Sequence, residues 1–195
     1  MCYRNSFLGL LLFNLLFINP SSAADNDPVE HYSKRATALL RDAISRETVR
    51  GAGNVPAYAA TLQDTFLAAG FPSDALTLVP YNDTASLIVR YAGDGSSGRK
   101  PILFSAHMDV VPADPNDWLR HPFELQEDDT FFYGRGVLDN KFDVSILTTL
   151  FVWLKESGFV PNRDLVVAFT GDEESLQETV QQLTRDYRDL IDAEY

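Results

Sequence analysis

Two short, unbroken apolar runs separated by a helical repeat constrain the fold of this chain most strongly. The runs cover residues 102–105 and 165–170, and such runs are typical of strands buried on both faces of a mostly parallel sheet. Apolar residues between them recur at helical spacing: Leu147, Leu150, Phe151 and Leu154. We expect this helix to be capped by Asp143 and to end at Gly158. A strand, a crossover helix and a second strand predict an α/β protein with a mostly parallel sheet flanked by helices.

The segments before these runs predict two helices and a hairpin. Apolar residues at i, i+3, i+4 and i+7 predict amphipathic helices over residues 36–43 and 59–69. Residues 76–79 and 87–91 favour strands, and a turn at residues 82–83 lies between them.

The charge disfavours two kinds of binding partner, and the cysteine content excludes two kinds of structural site. With 16 basic and 28 acidic side chains the net charge is −12, which disfavours nucleic acid because neutralising phosphates requires clustered Lys and Arg. Anionic membrane surfaces are disfavoured for the same reason. The single cysteine, Cys2, can form neither an internal disulfide nor a zinc ribbon, so a metal ion would be held by histidine and carboxylate side chains.

The N-terminus has the pattern of a secretory signal peptide. Arg4 precedes a mostly apolar run over residues 7–18, and small residues follow near Ala23. The run is shorter than the about 20 apolar residues that a membrane-spanning helix needs, so an uncleaved anchor is the weaker alternative. We expect a signal peptide over residues 1–23 and a periplasmic or secreted mature protein.

Polar side chains suited to metal binding follow both apolar runs. His107 and Asp109 follow the first run, and Glu173 and Glu174 follow the second. Asp139 lies between them, in the segment before the predicted helix. Taken singly, such a histidine is more often structural, and acids at a helix start often only favour the macrodipole. Because ligands in α/β proteins bind beyond the carboxyl ends of strands, the joint arrangement indicates a site for zinc or a related divalent ion.

Three segments match a known set of motifs in order and spacing. They are residues 107–112 (HMDVVP), 134–141 (GRGVLDNK) and 171–174 (GDEE). These segments resemble the metal-site motifs of the M20 metallopeptidases, the family of glutamate carboxypeptidase, aminoacylase, carnosinase and acetylornithine deacetylase. The resemblance implies a zinc-exopeptidase-like catalytic domain. It also implies a hydrolase that cleaves a peptide or N-acyl amide bond with water activated by two metal ions.

The resemblance implies a role for each of the polar residues. His107, Asp139 and Glu174 would be metal ligands, with Asp139 shared by two ions. Glu173 would be the catalytic general base, and Asp109 would assist catalysis by orienting His107. The expected cofactor is Zn²⁺, two ions per site in the complete protein, with Co²⁺ or Mn²⁺ as alternatives.

The second motif carries two further expectations. By resemblance, the peptide bond between Asp139 and Asn140 should be cis. We interpret Arg135 and Lys141 as structural charges that shape the loop, and we do not assign them to catalysis.

By the same resemblance, residues 24–195 correspond to the N-terminal part of an M20-type catalytic domain. An amphipathic repeat over residues 176–187 predicts a helix after the glutamates, and residues 190–195 resemble the approach to a further strand. The lid or dimerisation domain, the C-terminal part and the remaining metal ligands are then expected outside this chain. The 195 residues alone would be incomplete and inactive.

Two other interpretations remain open beside the hydrolase. The chain could be a catalytically inactive truncated remnant, or a secreted module that uses the cluster only to bind metal. A serine hydrolase is disfavoured because the sequence has no G-x-S-x-G motif. The expected partner of the hydrolase is a small peptide or an N-acyl amino acid, without nucleic acid and without a membrane after signal cleavage, and the complete protein could be a homodimer.

The signal peptide leads to a direct prediction. Exported protein should begin at or near Ala24, because signal peptidase cleaves after small residues such as Ala23. Intact-mass measurement on secreted or periplasmic material tests this. Full-length protein that retains Met1 in the membrane fraction would contradict cleavage.

Overall fold

The computed structural model describes residues 27–195, which form a central sheet with helices on both faces. The predicted signal peptide lies outside these residues, so its cleavage stays a prediction. None of the described helices has the length and the apolar character needed to cross a membrane.

The elements follow one another along the chain in this order: α1 Pro28–Ser45, α2 Val55–Ala68, β1 Leu76–Tyr81, β2 Thr84–Tyr91, β3 Ile102–His107, β4 Gln126–Glu127, β5 Phe132–Tyr133, α3 Phe142–Glu156, β6 Leu165–Thr170, α4 Glu178–Asp186 and α5 Arg188–Ile191. Helix α1 is longer than its apolar repeat predicts, because Asp27 accepts a hydrogen bond from the Val29 amide and Pro28 occupies the first turn.

The main sheet has the strand order β1-β2-β6-β3. β3 and β6 pair in parallel, whereas β2 is antiparallel to both β1 and β6. The expectation of a mostly parallel sheet is therefore wrong for the described strands, although the α/β class with flanking helices is confirmed. The physical reason is that β1 and β2 form a hairpin across the turn at Asn82 and Asp83. Only β3 and β6 are joined by a crossover helix, which a parallel pair requires.

Two apolar clusters cover the two faces of this sheet. Alternate residues of β2 enter different clusters, since successive side chains of a strand point to opposite faces. Leu87 and Val89 pack with Phe151 of α3, and Ile88 packs with Leu183 of α4. β6 is buried at almost every position, which confirms that it is covered on both faces.

The crossover helix α3 differs from expectation at its start. Asp143 does not cap it; the residue lies inside the first turn, and its carboxylate accepts a hydrogen bond from Asn140 Nδ2 at 3.1 Å. The reason is that Lys141 already has helical backbone angles, so the chain enters the helix before Asp143. Gly158 takes a positive φ of 69° just after the helix, which confirms the predicted end.

The C-terminal segment contains α4, as predicted, but a different structure from the expected strand after it. Leu190 and Ile191 lie in the short helix α5 and pack against the cluster around Leu183. Helical spacing lets both side chains reach that cluster, whereas a strand would place them on opposite faces. Only the last two residues run beside β3, where Glu194 N–H donates to Pro101 and Tyr195 accepts from Leu103.

The central packing of α3 can be tested by substitution. Phe151→Ala should lower the free energy of unfolding by about 3–5 kcal/mol, because it opens a cavity in the core. Phe159→Ala is the matched control, since Phe159 is half exposed and should change stability little. Urea denaturation of both variants measures the difference, and equal unfolding midpoints would contradict the assigned core.

Candidate metal centre

The carboxyl ends of β3 and β6 lie side by side and position two of the candidate ligands. His107 ends β3 and is the parallel partner of Thr170, which ends β6. Glu174 follows in the turn after β6, and Asp139 comes from the loop that leads into α3. One ligand atom from each of His107, Asp139 and Glu174 lies within 4.8 Å of the other two. The structure therefore brings together the three predicted ligands from three separate segments.

Asp139 extends into an open hollow. Its side chain is 70% exposed, and the hollow of about 340 Å³ is also lined by His107, Glu173 and Val180. The peptide bond between Asp139 and Asn140 is cis, as predicted.

Both ring nitrogens of His107 have oxygen partners. Nε2 lies 2.8 Å from Asp139 Oδ1, and Nδ1 lies 3.1 Å from the Asp109 carbonyl oxygen and 3.4 Å from its carboxylate. Burial alone would lower the pKa of His107, but these acceptors outweigh burial and raise the pKa to about 9. Because Asp109 holds Nδ1, Nε2 faces the hollow, which is the orientation that a metal ligand needs.

Asp109 also joins the first and third motifs, which sequence reasoning missed. Its buried carboxylate accepts hydrogen bonds from the backbone amides of Glu173 at 3.1 Å and Glu174 at 3.0 Å. Such bonds replace the hydration that the carboxylate loses on burial. Asp109 therefore helps to fix both glutamates relative to His107. The sequence carried no signal for this, because the donors are backbone groups and are remote along the chain.

The two glutamates occupy different environments. Glu174 belongs to the ligand group, whereas Glu173 is 46% exposed and its Oε2 lies 3.9 Å from His107 Nε2. Burial, and next the negative charge of Asp139, raise the pKa of Glu174. A bound cation would relieve this repulsion between carboxylates.

Asp172 holds the glutamate turn from its other side. Its buried carboxylate accepts hydrogen bonds from the amides of Glu178 at 2.7 Å and Thr179 at 3.1 Å, and from the Thr179 hydroxyl. These bonds cap the first turn of α4.

Gly171, the residue before Asp172, has no room for a side chain, because a Cβ would lie 2.4 Å from the Ala85 carbonyl oxygen. Sequence reasoning placed Asp172 only in an acidic helix start, since its capping partners depend on where α4 begins.

Lys141 and Arg135 have contacts that suit structural roles. Lys141 Nζ donates to the carbonyl oxygens of Ala43 at 2.7 Å and Arg46 at 2.6 Å, and burial lowers the pKa of Lys141 to about 7. The Arg135 guanidinium lies 5.2 Å from the centre of the Trp118 ring.

The donor set fits a metal ion. An imidazole nitrogen and two carboxylates converge at one point, and zinc and other first-row divalent ions prefer such ligands. The division of roles among His107, Asp139, Glu174, Glu173 and Asp109 stays a prediction.

Comparison with known proteins agrees with this geometry. Residues 103–193 match the model of peptidase family M20/M25/M40. The chain belongs to peptidase family M20. It is 40% identical over 79 residues to the N-fatty-acyl-amino acid synthase/hydrolase PM20D1.1 of Danio rerio. That match covers 40% of this chain and 15% of the relative. It is 33% identical over 162 residues to the probable succinyl-diaminopimelate desuccinylase of Staphylococcus aureus, which covers 82% of this chain and 38% of the relative.

Solved structures show the same fold. The dipeptidase Dug1p of Saccharomyces cerevisiae superposes with a TM-score of 0.67 at 24% identity, covering 80% of this chain and 35% of Dug1p. Human carnosine dipeptidase 1 gives a TM-score of 0.66 at 22% identity, covering 84% of this chain and 38% of that protein. The chain thus spans less than half the length of these relatives.

The environment of His107 predicts pH-dependent metal binding. Because the pKa of His107 is raised to about 9, its imidazole carries a proton at pH 7 in chelator-treated protein, and a metal ion must displace that proton. Affinity for Zn²⁺ should therefore rise with pH up to about 9, by as much as about tenfold per pH unit.

Competition titrations against a chromophoric chelator measure this slope. The exposed His121 provides the control: His121→Ala should keep the slope, whereas His107→Ala should lose most of the binding. An affinity that does not change with pH would contradict the assignment of His107.

Proposed function

We propose that this protein is a metal-dependent hydrolase that cleaves peptide or N-acyl amide bonds. The observation that carries the proposal is the convergence of His107, Asp139 and Glu174, with Glu173 beside them at an open hollow. Membership of family M20 supports the same activity.

His107, Asp139 and Glu174 would hold the metal, which we propose to be Zn²⁺, with Co²⁺ or Mn²⁺ as alternatives. We propose two ions with Asp139 as the shared ligand. Its carboxylate has two oxygens, it contacts His107, and its charge acts on Glu174. When bound, the ions would polarise the scissile carbonyl and lower the pKa of water. Asp109 would keep the His107 ring in its binding orientation through Nδ1.

Glu173 is the proposed general base. Its carboxylate lines the hollow and approaches the ligand group, yet it does not belong to that group. Its backbone amide is held by Asp109 at 3.1 Å, so the main chain is fixed while the half-exposed side chain can reach substrate. A base needs both a defined position and access to the proton that it takes up.

The names of the relatives support the proposed substrate class. By their names, the similar proteins act on N-fatty-acyl amino acids, acetylornithine and succinyl-diaminopimelate, and the similar structures include dipeptidases. We propose a small peptide or an N-acyl amino acid as substrate here, in a periplasmic or secreted protein. A homodimer of the complete protein belongs to the same proposal.

Substitution of Glu173 separates catalysis from metal binding. In protein expressed from the complete gene, Glu173→Gln should lower hydrolysis of dipeptides or N-acyl amino acids by about 10²- to 10⁴-fold, while metal content stays near normal. Glu178→Gln is the matched control, because Glu178 lies near the same turn but outside the ligand group. Metal analysis beside a hydrolysis assay decides, and if Glu173→Gln keeps most of its activity another residue must be the base.

The same measurements distinguish the other interpretations. His107→Ala and Asp139→Ala should lose metal and hydrolysis together, because both supply ligand atoms. Wild-type protein that binds metal but hydrolyses neither substrate class would be a metal-binding module. Protein that neither binds metal nor hydrolyses would be an inactive remnant.

A further inference from the structure

Lys141 places its amine in the protein interior, where a methionine would fill similar space without a hydrogen-bond donor. The side chain is fully buried, and its Nζ donates to the carbonyl oxygens of Ala43 and Arg46. These oxygens lie at the C-terminal end of α1, where the last carbonyl groups of a helix have no partner within the helix. Lys141 therefore supplies, from the metal-site loop, a hydrogen-bond donor to the end of α1.

The same lysine closes the loop that carries Asp139. Its backbone N–H donates to the Gly136 carbonyl at 2.9 Å, and its own carbonyl accepts from the Ser145 hydroxyl of α3 at 2.8 Å. Gly136 takes a φ of 80°, and a Cβ there would lie 3.4 Å from Lys141 Cδ. The Lys141 side chain thus packs near Gly136 of the loop and binds through its Nζ to the end of α1.

The segment just after α1 holds the other side of the metal centre. The buried Thr48 donates through its hydroxyl to the Met108 carbonyl at 2.8 Å, and its carbonyl accepts from the Val110 amide at 3.2 Å. Met108 and Val110 flank Asp109 and follow His107 directly. The last residues of α1 thus contact the loop with Asp139, and the residues just after α1 contact the strand end with His107.

From these contacts we infer that residues 43–48 form a common anchor that sets the distance between His107 and Asp139, with Lys141 and Thr48 as positioning residues. This inference rests on the proposed metal centre. The 2.8 Å contact between His107 Nε2 and Asp139 Oδ1 joins two segments that Thr48 and Lys141 each tie to this anchor. Loss of either tie lets one ligand move relative to the other.

The experiment compares Lys141→Met and Thr48→Val with wild type in protein expressed from the complete gene. Zn²⁺ affinity is measured on the folded fraction, and the absorption spectrum of Co²⁺ reports the ligand geometry. Each substitution should weaken Zn²⁺ binding by roughly 10- to 100-fold and alter the Co²⁺ spectrum. The double variant should lose less than the product of the two single effects, because both ties act on one distance.

Lys155→Met is the matched control. Lys155 lies near the other end of α3, and its Nζ lies 5.7 Å from the centre of the Phe71 ring and 6.0 Å from that of Tyr91, away from the metal-site loop. This variant should keep wild-type affinity and an unchanged Co²⁺ spectrum, even if its stability falls.

A second readout does not need metal. Hydrogen exchange of the amides at residues 137–142 in chelator-treated protein should be faster in Lys141→Met than in wild type. If Lys141→Met does not fold, Thr48→Val decides through its metal affinity and spectrum. Folded variants with wild-type affinity, spectrum and exchange would overturn the inference. If wild-type protein binds neither Zn²⁺ nor Co²⁺, the proposed metal centre fails, and unchanged exchange at residues 137–142 would then overturn this inference separately.

Discussion

The parallel pairing of β3 with β6 is the constraint on which the candidate metal centre depends. Their register sets His107 opposite Thr170, and the Met108 amide continues the ladder with a 2.8 Å bond to the Thr170 carbonyl. Both strands therefore end at one level, and the turn with Glu174 begins beside His107. The crossover helix α3 starts at the same edge, so the loop that precedes it delivers Asp139 there. Three distant segments meet because the crossover through α3 returns the chain to the neighbouring parallel strand.

The protein stabilises only some of the carboxylate charges in the candidate metal centre. Asp109 finds its donors in the backbone amides of Glu173 and Glu174, which replace its lost hydration. Asp139 and Glu174 have no comparable set of donors among residues 27–195, and the raised pKa of Glu174 reflects burial and the nearby charge of Asp139. The pKa of His107 is raised because Asp109 and Asp139 accept from its two ring nitrogens, which outweighs the effect of burial. Such an excess of negative charge around one imidazole attracts divalent cations.

Local patterns predicted the elements well but not how they are arranged. The apolar runs identified β3 and β6, and the polar residues after them identified the candidate ligands, because strand ends and ligand types are local properties. Strand direction was predicted wrongly, since it depends on which strand becomes the neighbour of β2, and β2 pairs with β6 across a large separation in sequence. The bonds from Asp109 to two backbone amides and from Lys141 to α1 also escaped prediction. In each of these bonds one partner is a main-chain group, which every residue has, so the sequence of side chains does not indicate it.

The close approach at Gly171 limits how this protein can be changed. A Cβ there would meet the Ala85 carbonyl oxygen and the Thr84 hydroxyl, both at 2.4 Å, and that hydroxyl already donates to the Gly171 carbonyl at 2.7 Å. The hairpin of β1 and β2 thus packs directly against the residue that begins the glutamate turn, and a larger side chain at position 171 would push the two apart. Val180 of α4, in contrast, borders the hollow beside His107 and is partly exposed, so a hollow for bulkier ligands is better opened there. Truncation of that valine offers a route to a wider site that leaves the sheet intact.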